Sequence, residues 1–553
     1  MKQVSAIFLI IACLFAGFTA SARKSQTEEF RRKLVTLNAI VKELDVSYVD
    51  TLDASQLMDR TIGALLYQID PYTEYYTDDN KDELLTISAG KYAGIGSSIF
   101  KRGDHIYINE PYWDSPARKY GLRSGDRILS VDDFEVKPGT PVDEVSKRLR
   151  GQAGTEVKVS VKRPYVADSM LTVTVVRDDI RIKPLPYHGV DDRGIGYIAL
   201  TTFNDNSAEA VREAVLDLLA DPRLKGIVID LRDNGGGLLE SAVRIASYFV
   251  PKGTEILRTV GRNADDTRVY KTKHSPLAPD IPLAILINEG TASSSEILAG
   301  SFQDLDRAVI VGERSFGKGL VQSARPLPYN ELMKITTGRY YIPSGRLVQA
   351  LDYSNRNADG SPTRTPDSLT HEFRTRAGRI VRDGGGITPD VTAEEKPASR
   401  LLISLATEFV PFDFTNKYLA EHQQNYSPDS EVVTDEVYEQ FKAFVDPSKF
   451  NYDRRCETAL KALREAAVSE GYMNDSVDAQ LSVLADMLRH NLDRDLDRNR
   501  DEIVENLEAN FAVRLFPDSD IVRRRLPSDS VLITAGDIIL DPVRYSNILK
   551  GAH

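Results

Sequence analysis

Three glycine- or serine-rich segments hold the residues of this chain whose types and spacing could do chemistry. The first is Asp230-Leu231-Arg232-Asp233-Asn234-Gly235-Gly236-Gly237, which follows an apolar run that reads as a buried strand. Consecutive glycines let backbone N–H groups converge on an oxyanion. A tight strand-to-helix turn accounts for the same residues. The second is Asn288-Glu289-Gly290-Thr291-Ala292-Ser293-Ser294-Ser295-Glu296-Ile297, also at the end of a strand and the start of a helix. A serine there meets the positive end of the helix dipole. Ser293 with Glu296 three residues on is equally a capping box, and spacing alone favours the cap. The third, Gly312-Glu313-Arg314-Ser315-Phe316-Gly317-Lys318-Gly319, has the Gly-x4-Gly-Lys of a phosphate loop but then Gly319, so no hydroxyl would reach magnesium. The extended run Leu320-Val321-Gln322 follows instead of a helix, which excludes nucleotide binding. Lys318 between glycines is either a partly desolvated amine able to act as a base or a solvated surface lysine. No histidine lies between His274 and His371, so these motifs contain no Ser-His-Asp triad. The local polar candidates are Ser293, Lys318, Gln322 and Asp304.

The elements that must position these loops can be read from periodicity. Gly194–Leu200, Gly226–Leu231, Leu283–Asn288 and Ala308–Val311 are short apolar strands. Helical patterns over Ala208–Leu219, Leu238–Phe249 and Glu296–Leu305 alternate with them, which predicts an α/β core with parallel pairing. Before it, residues 91–176 carry short β-type runs separated by glycines, a compact β-rich module. Residues 24–90 read as helical, with Phe30, Leu34, Leu37, Val41 and Leu44 on one face until Asp70-Pro71 ends the pattern. Residues 395–553 are mostly helical and highly charged, with no motif that suggests chemistry.

Composition narrows the classes. The chain has 553 residues, 82 acidic and 70 basic, for a net charge of −12, which argues against a nucleic-acid partner. Its 41% hydrophobic and 27% charged residues suit a multidomain globular protein. The two cysteines, Cys13 and Cys456, and seven scattered histidines exclude a thiolate zinc site and a disulfide framework. No metal and no cofactor are expected. Lys2 is the only charge before Arg23, an apolar run follows it, and Ala20-Ser21-Ala22 is a small-x-small cleavage pattern. Residues 1–22 therefore read as a secretory signal peptide. The apolar run of about 15 is short against the roughly 20 residues that span a bilayer. Lipid attachment at Cys13 is disfavoured by the apolar residues that continue past it.

Taken together, the motifs resemble those of the carboxyl-terminal processing peptidases, the tail-specific proteases of the Ser-Lys class in peptidase family S41. The matching segments occur in the family's order. Asp70-Pro71-Tyr72-Thr73 comes first, then Ala93-Gly94-Ile95-Gly96, then the stretch from Ser115-Pro116-Ala117 to Gly125-Asp126-Arg127-Ile128, then Leu149-Arg150-Gly151-Gln152-Ala153-Gly154-Thr155. The three loops above and Tyr341-Ile342-Pro343-Ser344-Gly345-Arg346 complete the series, over about residues 60–395. The resemblance implies a multidomain α/β chain: an N-terminal helical region (23–90), a PDZ domain (91–176), a crotonase-like protease core (177–394) and a helical C-terminal region (395–553).

It also implies roles. Ser293 would be the nucleophile, Lys318, 25 residues later, the general base, Gln322 the group that orients the lysine, and Asp304 a polar residue near the site. The backbone N–H groups of Gly236, or a neighbouring glycine, and of Ser294 would hold the oxyanion. Gly94, Ile95 and Gly96 would take a substrate's terminal carboxylate while its tail adds as a strand. Where many relatives have Asn-Pro-Gly this chain has Asn234-Gly235-Gly236, and Ser294 replaces the commoner alanine, so the choice among three serines rests on the spacing to Lys318. The expected activity is that of an exported serine endopeptidase of the bacterial periplasm or cell envelope, acting on proteins with accessible C-terminal tails. A homo-oligomer through the terminal helical segments, and an adaptor on the C-terminal helices, are further implied partners. An inactive PDZ scaffold and a crotonase-type acyl-CoA enzyme are the rival readings. The first is opposed by the presence of both Ser293 and Lys318, the second by export and the PDZ-like module.

Overall fold

The computed structural model describes residues 28–551, except 79, 82, 83, 85–88, 168, 423–425, 448, 449, 451, 453, 454 and 490. The signal segment expected at 1–22, with Cys13, lies outside them. The chain forms two compact units, one from residues up to 81 with 322–336, the other from the rest.

In the larger unit the PDZ domain is built on a six-stranded antiparallel sheet, in which the short strand Phe134–Glu135 pairs with Arg127–Val131 off the main path. Its strands β1 (Ser97–Arg102), β2 (His105–Pro111), β3 (Arg127–Val131), β4 (Glu156–Lys162) and β5 (Met170–Val176) lie in that spatial order. The short helix α1 (Pro116–Lys119) and helix α2 (Val142–Leu149) complete it. The alternating Val157, Val159 and Val161 of β4 point into its core, as their period-2 spacing predicts. Strand β1 is at the sheet edge. Lys91–Gly94 lies outside this sheet and pairs with Asp178–Arg181.

The core sheet runs β6 (Tyr187–Val190), β7 (Ile195–Ala199), β8 (Gly226–Asp230), β9 (Leu283–Ile287), β10 (Val309–Gly312) and β11 (Val391–Thr392), again in sequence order. All pairs are parallel except β6–β7. Strands β7 to β10 are buried at every position, which is why they read as unbroken apolar runs. Ile227, Ile229, Ile285 and Ile310 face one side, toward α3 (Ser207–Ala220), α4 (Leu239–Ala246) and α5 (Ser294–Asp304). Val228, Ala284, Leu286 and Val311 face the other.

That second face is covered by residues beyond 395. The cover comes from the C-terminal region: after α6 (Val410–Glu421) and α7 (Arg500–Leu515), helix α8 (Ser530–Leu540) lays Val531, Leu532, Ala535, Ile538 and Ile539 on the sheet. Each large side chain buried there contributes about 1.5–3 kcal/mol, so α8 is part of the core it covers. The PDZ domain in turn meets α6 through β1. Arg102 holds Asp413 with both oxygens at 2.8 and 2.9 Å, and Phe100 stacks on Phe409 at 5.1 Å.

The smaller unit contains the amphipathic helix read at the N-terminus, over 28–47, and helix Ala54–Tyr67. Phe30, Leu34 and Leu37 of the first are exposed. Strand Glu74–Tyr76 pairs with Leu332, Met333 and Lys334.

Candidate active site

Strands β8 and β9 are parallel neighbours, with Asp230 opposite Leu286, so the loops that leave their carboxyl ends start side by side. Ligands of open α/β sheets sit at such a place. The two loops are laced together. Thr291 Oγ1 donates to the Leu231 carbonyl at 2.8 Å, and Asp233 N–H to Asn288 Oδ1 at 2.9 Å. Ala292 N–H and Ser295 Oγ both donate to the Asn234 carbonyl, at 3.0 and 2.8 Å. Ser294 Oγ donates to the Gly237 carbonyl at 2.9 Å.

These bonds separate the three serines. Ser294 and Ser295 spend their hydroxyls on the glycine loop. Ser293 is half-buried and holds φ 57° and ψ −115°, whereas an ordinary N-cap lies in the extended region. Such strain in a non-glycine residue persists only where its surroundings enforce it, and it clusters at active sites. Gly236 lies against it: a Cβ added there would come 2.8 Å from both Ser293 Cβ and Ser294 N. Ser294 begins α5, so its N–H has no acceptor within the helix. The Gly236 N–H, expected to face an oxyanion, instead donates to Asn234 Oδ1 at 2.9 Å, and Asn234 Nδ2 donates to the Leu200 carbonyl.

Glu296 ties the serine loop to the lysine loop. One carboxylate oxygen accepts from Ser293 N–H at 2.9 Å and from Lys318 N–H at 2.8 Å, so these two nitrogens lie under about 6 Å apart. The other accepts from Gly317 N–H at 2.8 Å and Ser315 Oγ at 2.6 Å. The side chain is fully buried. Burial pushes its pKa up, and the Ser315 hydroxyl and the three N–H donors pull against that. Lys318 itself is partly buried, unlike a freely solvated lysine. Tyr340 adds a second tie: its N–H donates to the Gly319 carbonyl at 3.0 Å and its hydroxyl to the Ser293 carbonyl at 3.3 Å. Burial drives its phenol well above the ordinary value.

The expected residues therefore do not all meet. Ser293, Ser294, Gly236 and the Lys318 backbone come together. Asp304 does not: it ends α5, about 16 Å along the helix from Ser293. There it pairs with the buried Arg346 at 2.8 Å and accepts from Ser344 N–H at 2.9 Å, which makes it a structural anchor. Gln322 belongs to the smaller unit, where its amide donates to Thr336 Oγ1 at 3.2 Å. In the PDZ domain the Ile95 and Gly96 carbonyls accept from Ala117 and Tyr112 N–H. Gly96 has φ 72° and no room for a side chain, since a Cβ would meet Ser115 at 2.4 Å. Glu296 was legible only as a cap, and Tyr340 carried no signal.

Three family models match the chain. The model of peptidase family S41 matches residues 194–352, and a PDZ domain model matches 107–163. A model described as "Probable PDZ-protease, C-terminal helical domain" matches 401–539. The chain is a serine peptidase of family S41. The carboxy-terminal-processing protease of Bartonella bacilliformis is 32% identical over 351 residues, 63% of this chain and 79% of that protein. A "Probable CtpA-like serine protease" of Staphylococcus haemolyticus is 32% identical over 356 residues, 63% of this chain and 70% of that one. Among solved structures, the photosystem II D1 C-terminal processing protease is 26% identical, covering 65% of this chain and 92% of its own, with a TM-score of 0.36. The chain belongs to the carboxy-terminal-processing proteases, with a PDZ domain.

Proposed function

We propose that the chain is an exported endopeptidase that works by a Ser-Lys mechanism and finds substrates by their C-terminal tails. The observation that carries this reading is the Glu296 carboxylate, which holds the backbones of Ser293 and Lys318 to one oxygen. Neutral Lys318 takes the Ser293 hydroxyl proton as Oγ attacks a peptide carbonyl. Ser294 N–H and a glycine-loop N–H hold the oxyanion; Gly236 supplies the second once it leaves Asn234. Lys318 then gives its proton to the leaving amine, and water resolves the acyl-enzyme. Gln322, four residues on, is assigned to orienting the lysine. A lysine of ordinary pKa, about 10.4, is almost wholly protonated at pH 7, so the reaction requires a desolvated amine.

The tail adds along the free edge of β1, with its carboxylate at Gly94, Ile95 and Gly96. Export by the segment 1–22 places this activity in a bacterial periplasm or cell envelope. The exposed face of Phe30, Leu34 and Leu37 supports self-association, and the C-terminal helices are the assigned adaptor surface. The test uses protein from Arg23 on, mixed with an unstructured protein ending in apolar residues, with products followed by intact mass spectrometry. Fragments from wild type, and none from Ser293→Ala or Lys318→Ala, are expected. Equal cleavage by Lys318→Ala would remove the lysine from the mechanism.

A further inference from the structure

The glycine loop is also held by a residue nearly 300 positions further along the chain. Arg232 stands where the loop leaves β8, and its side chain is only 12% exposed. Its Nε donates to Asp230 Oδ1 at 3.0 Å and its Nη2 to Asp230 Oδ2 at 2.6 Å. The far edge of the guanidinium meets Asp529, Nη2 to Oδ2 at 2.5 Å and Nη1 to Oδ1 at 3.2 Å. Nη1 also reaches Glu395 Oε1 at 2.9 Å, on a side chain that is 67% exposed. Tyr197 of β7 completes the cluster, its hydroxyl donating to Asp230 Oδ2 at 2.7 Å. Burial, with the Asp230 carboxylate beside it, pushes that phenol far up, so it stays a donor.

Asp529 is the N-cap of α8, where its Oδ1 accepts from Leu532 N–H at 2.9 Å. The apolar face of α8 already seats it on the core sheet. A buried ion pair adds little stability over an apolar replacement, because desolvation offsets the attraction. What a two-pronged guanidinium–carboxylate pair does fix is direction. Direction matters here because the next residue, Asp233, holds φ 57°, a strained conformation that lasts only while its surroundings enforce it. Asn288 fixes one side of it by accepting the Asp233 N–H, and the Arg232 fork fixes the other. Asn234 follows directly. Its carbonyl takes Ala292 N–H and the Ser295 hydroxyl, and its side chain takes Gly236 N–H. A displacement at Arg232 is therefore handed on to Gly236 and to the serine loop.

We propose that Asp529 is a positioning residue for the reaction: through Arg232 it holds the glycine loop against the nucleophile, so the C-terminal helices set the oxyanion site. The inference rests on the serine mechanism and on the oxyanion role assigned to that loop. It gives the C-terminal region a part in the chemical step, although that region carries no group that touches substrate. Asp529 acts on the rate of the step and not on capture of the tail, which is read by the PDZ domain.

The test is steady-state cleavage of the tailed, unstructured substrate by the full chain, with kcat and KM separated. Asp529→Ser keeps an N-cap for α8, but its hydroxyl is too short to reach Arg232. It is expected to lower kcat about tenfold or more and to leave KM within about twofold. Asp529→Asn, which keeps the cap and the shape but not the charge, should fall in the same direction and serves if the serine variant does not fold. Ile538→Ala loosens the same helix through its apolar face and should keep kcat per folded molecule, the folded fraction being set by urea unfolding. Arg232→Met together with Asp529→Ser should lose no more than about twofold beyond Arg232→Met alone, because both act through one contact. Wild-type kcat in both Asp529 variants, an equal loss of kcat in Ile538→Ala, or losses that multiply in the double variant would overturn the proposal. Cleavage by Ser293→Ala, or none by wild type, would instead refute the serine mechanism beneath it.

Discussion

Replacing Gly236 by alanine should disable the site, while replacing its neighbour Gly235 should do almost nothing. Gly236 holds φ 95°, a region that costs an L-residue about 1–2 kcal/mol. Its new Cβ would stand 2.8 Å from the Ala292 carbonyl oxygen, Ser293 Cβ and Ser294 N, and two of those atoms are backbone. Relieving such overpacking typically costs a further ~1–3 kcal/mol. The expected loss of stability is thus about 2–5 kcal/mol. The relief has one direction open, displacement of the Ser293–Ser294 backbone. A misplacement approaching 1 Å costs about 100-fold in rate. A Cβ added at Gly235 would meet no atom within 4 Å, and this residue has no positive φ, so Gly235→Ala tests the register of the glycine loop. The assay is single-turnover cleavage of a tailed substrate, with urea unfolding of both variants in a Ser293→Ala background to prevent autolysis. Full activity in Gly236→Ala, or equal damage from Gly235→Ala, would refute the packing of this glycine against the nucleophile.

Other changes follow from the same contacts. Glu296→Gln keeps the shape but leaves an amide facing backbone N–H donors; turnover should fall about tenfold or more with tail affinity unchanged, measured as kcat against KM. Asp304→Asn breaks the buried pair with Arg346 and should cost about 3–5 kcal/mol in urea unfolding, while the folded fraction retains its turnover. Ile538→Ala, on α8, should lose about 2–5 kcal/mol and lower the unfolding midpoint of the protease core itself. Amidating a substrate's C-terminus should raise KM and leave kcat near its original value, because the tail is read away from the scissile bond.

Much of this arrangement could be read from the residues. Gly226–Asp230 and Leu283–Ile287 are visible as strands because burial on both faces leaves them almost wholly apolar. Ser293 and Lys318 stand out through the loops that hold them. What escaped depends on distances the sequence does not carry. Asp304 is near Ser293 in sequence, yet a regular helix puts it three turns away. The Gly236 N–H is turned to Asn234 by a local hydrogen bond two residues long, which the glycine count cannot reveal. Glu296 looks like a cap because it does accept from Ser293 N–H; its second task, at Lys318, needs a loop closed from the next strand. Helix α8 reads as one more C-terminal helix because a helix's periodicity shows that it has a buried face, not what covers it.

The central claim is that Ser293, and neither of the two serines after it, attacks the substrate with Lys318 as its base. The direct measurement is to quench the enzyme while it turns over a short activated ester, then map the acylated residue by peptide mass spectrometry. One acyl adduct is expected, on Ser293, lost in Lys318→Ala at neutral pH. An adduct on Ser294 or Ser295, or undiminished acylation without the lysine, would contradict it.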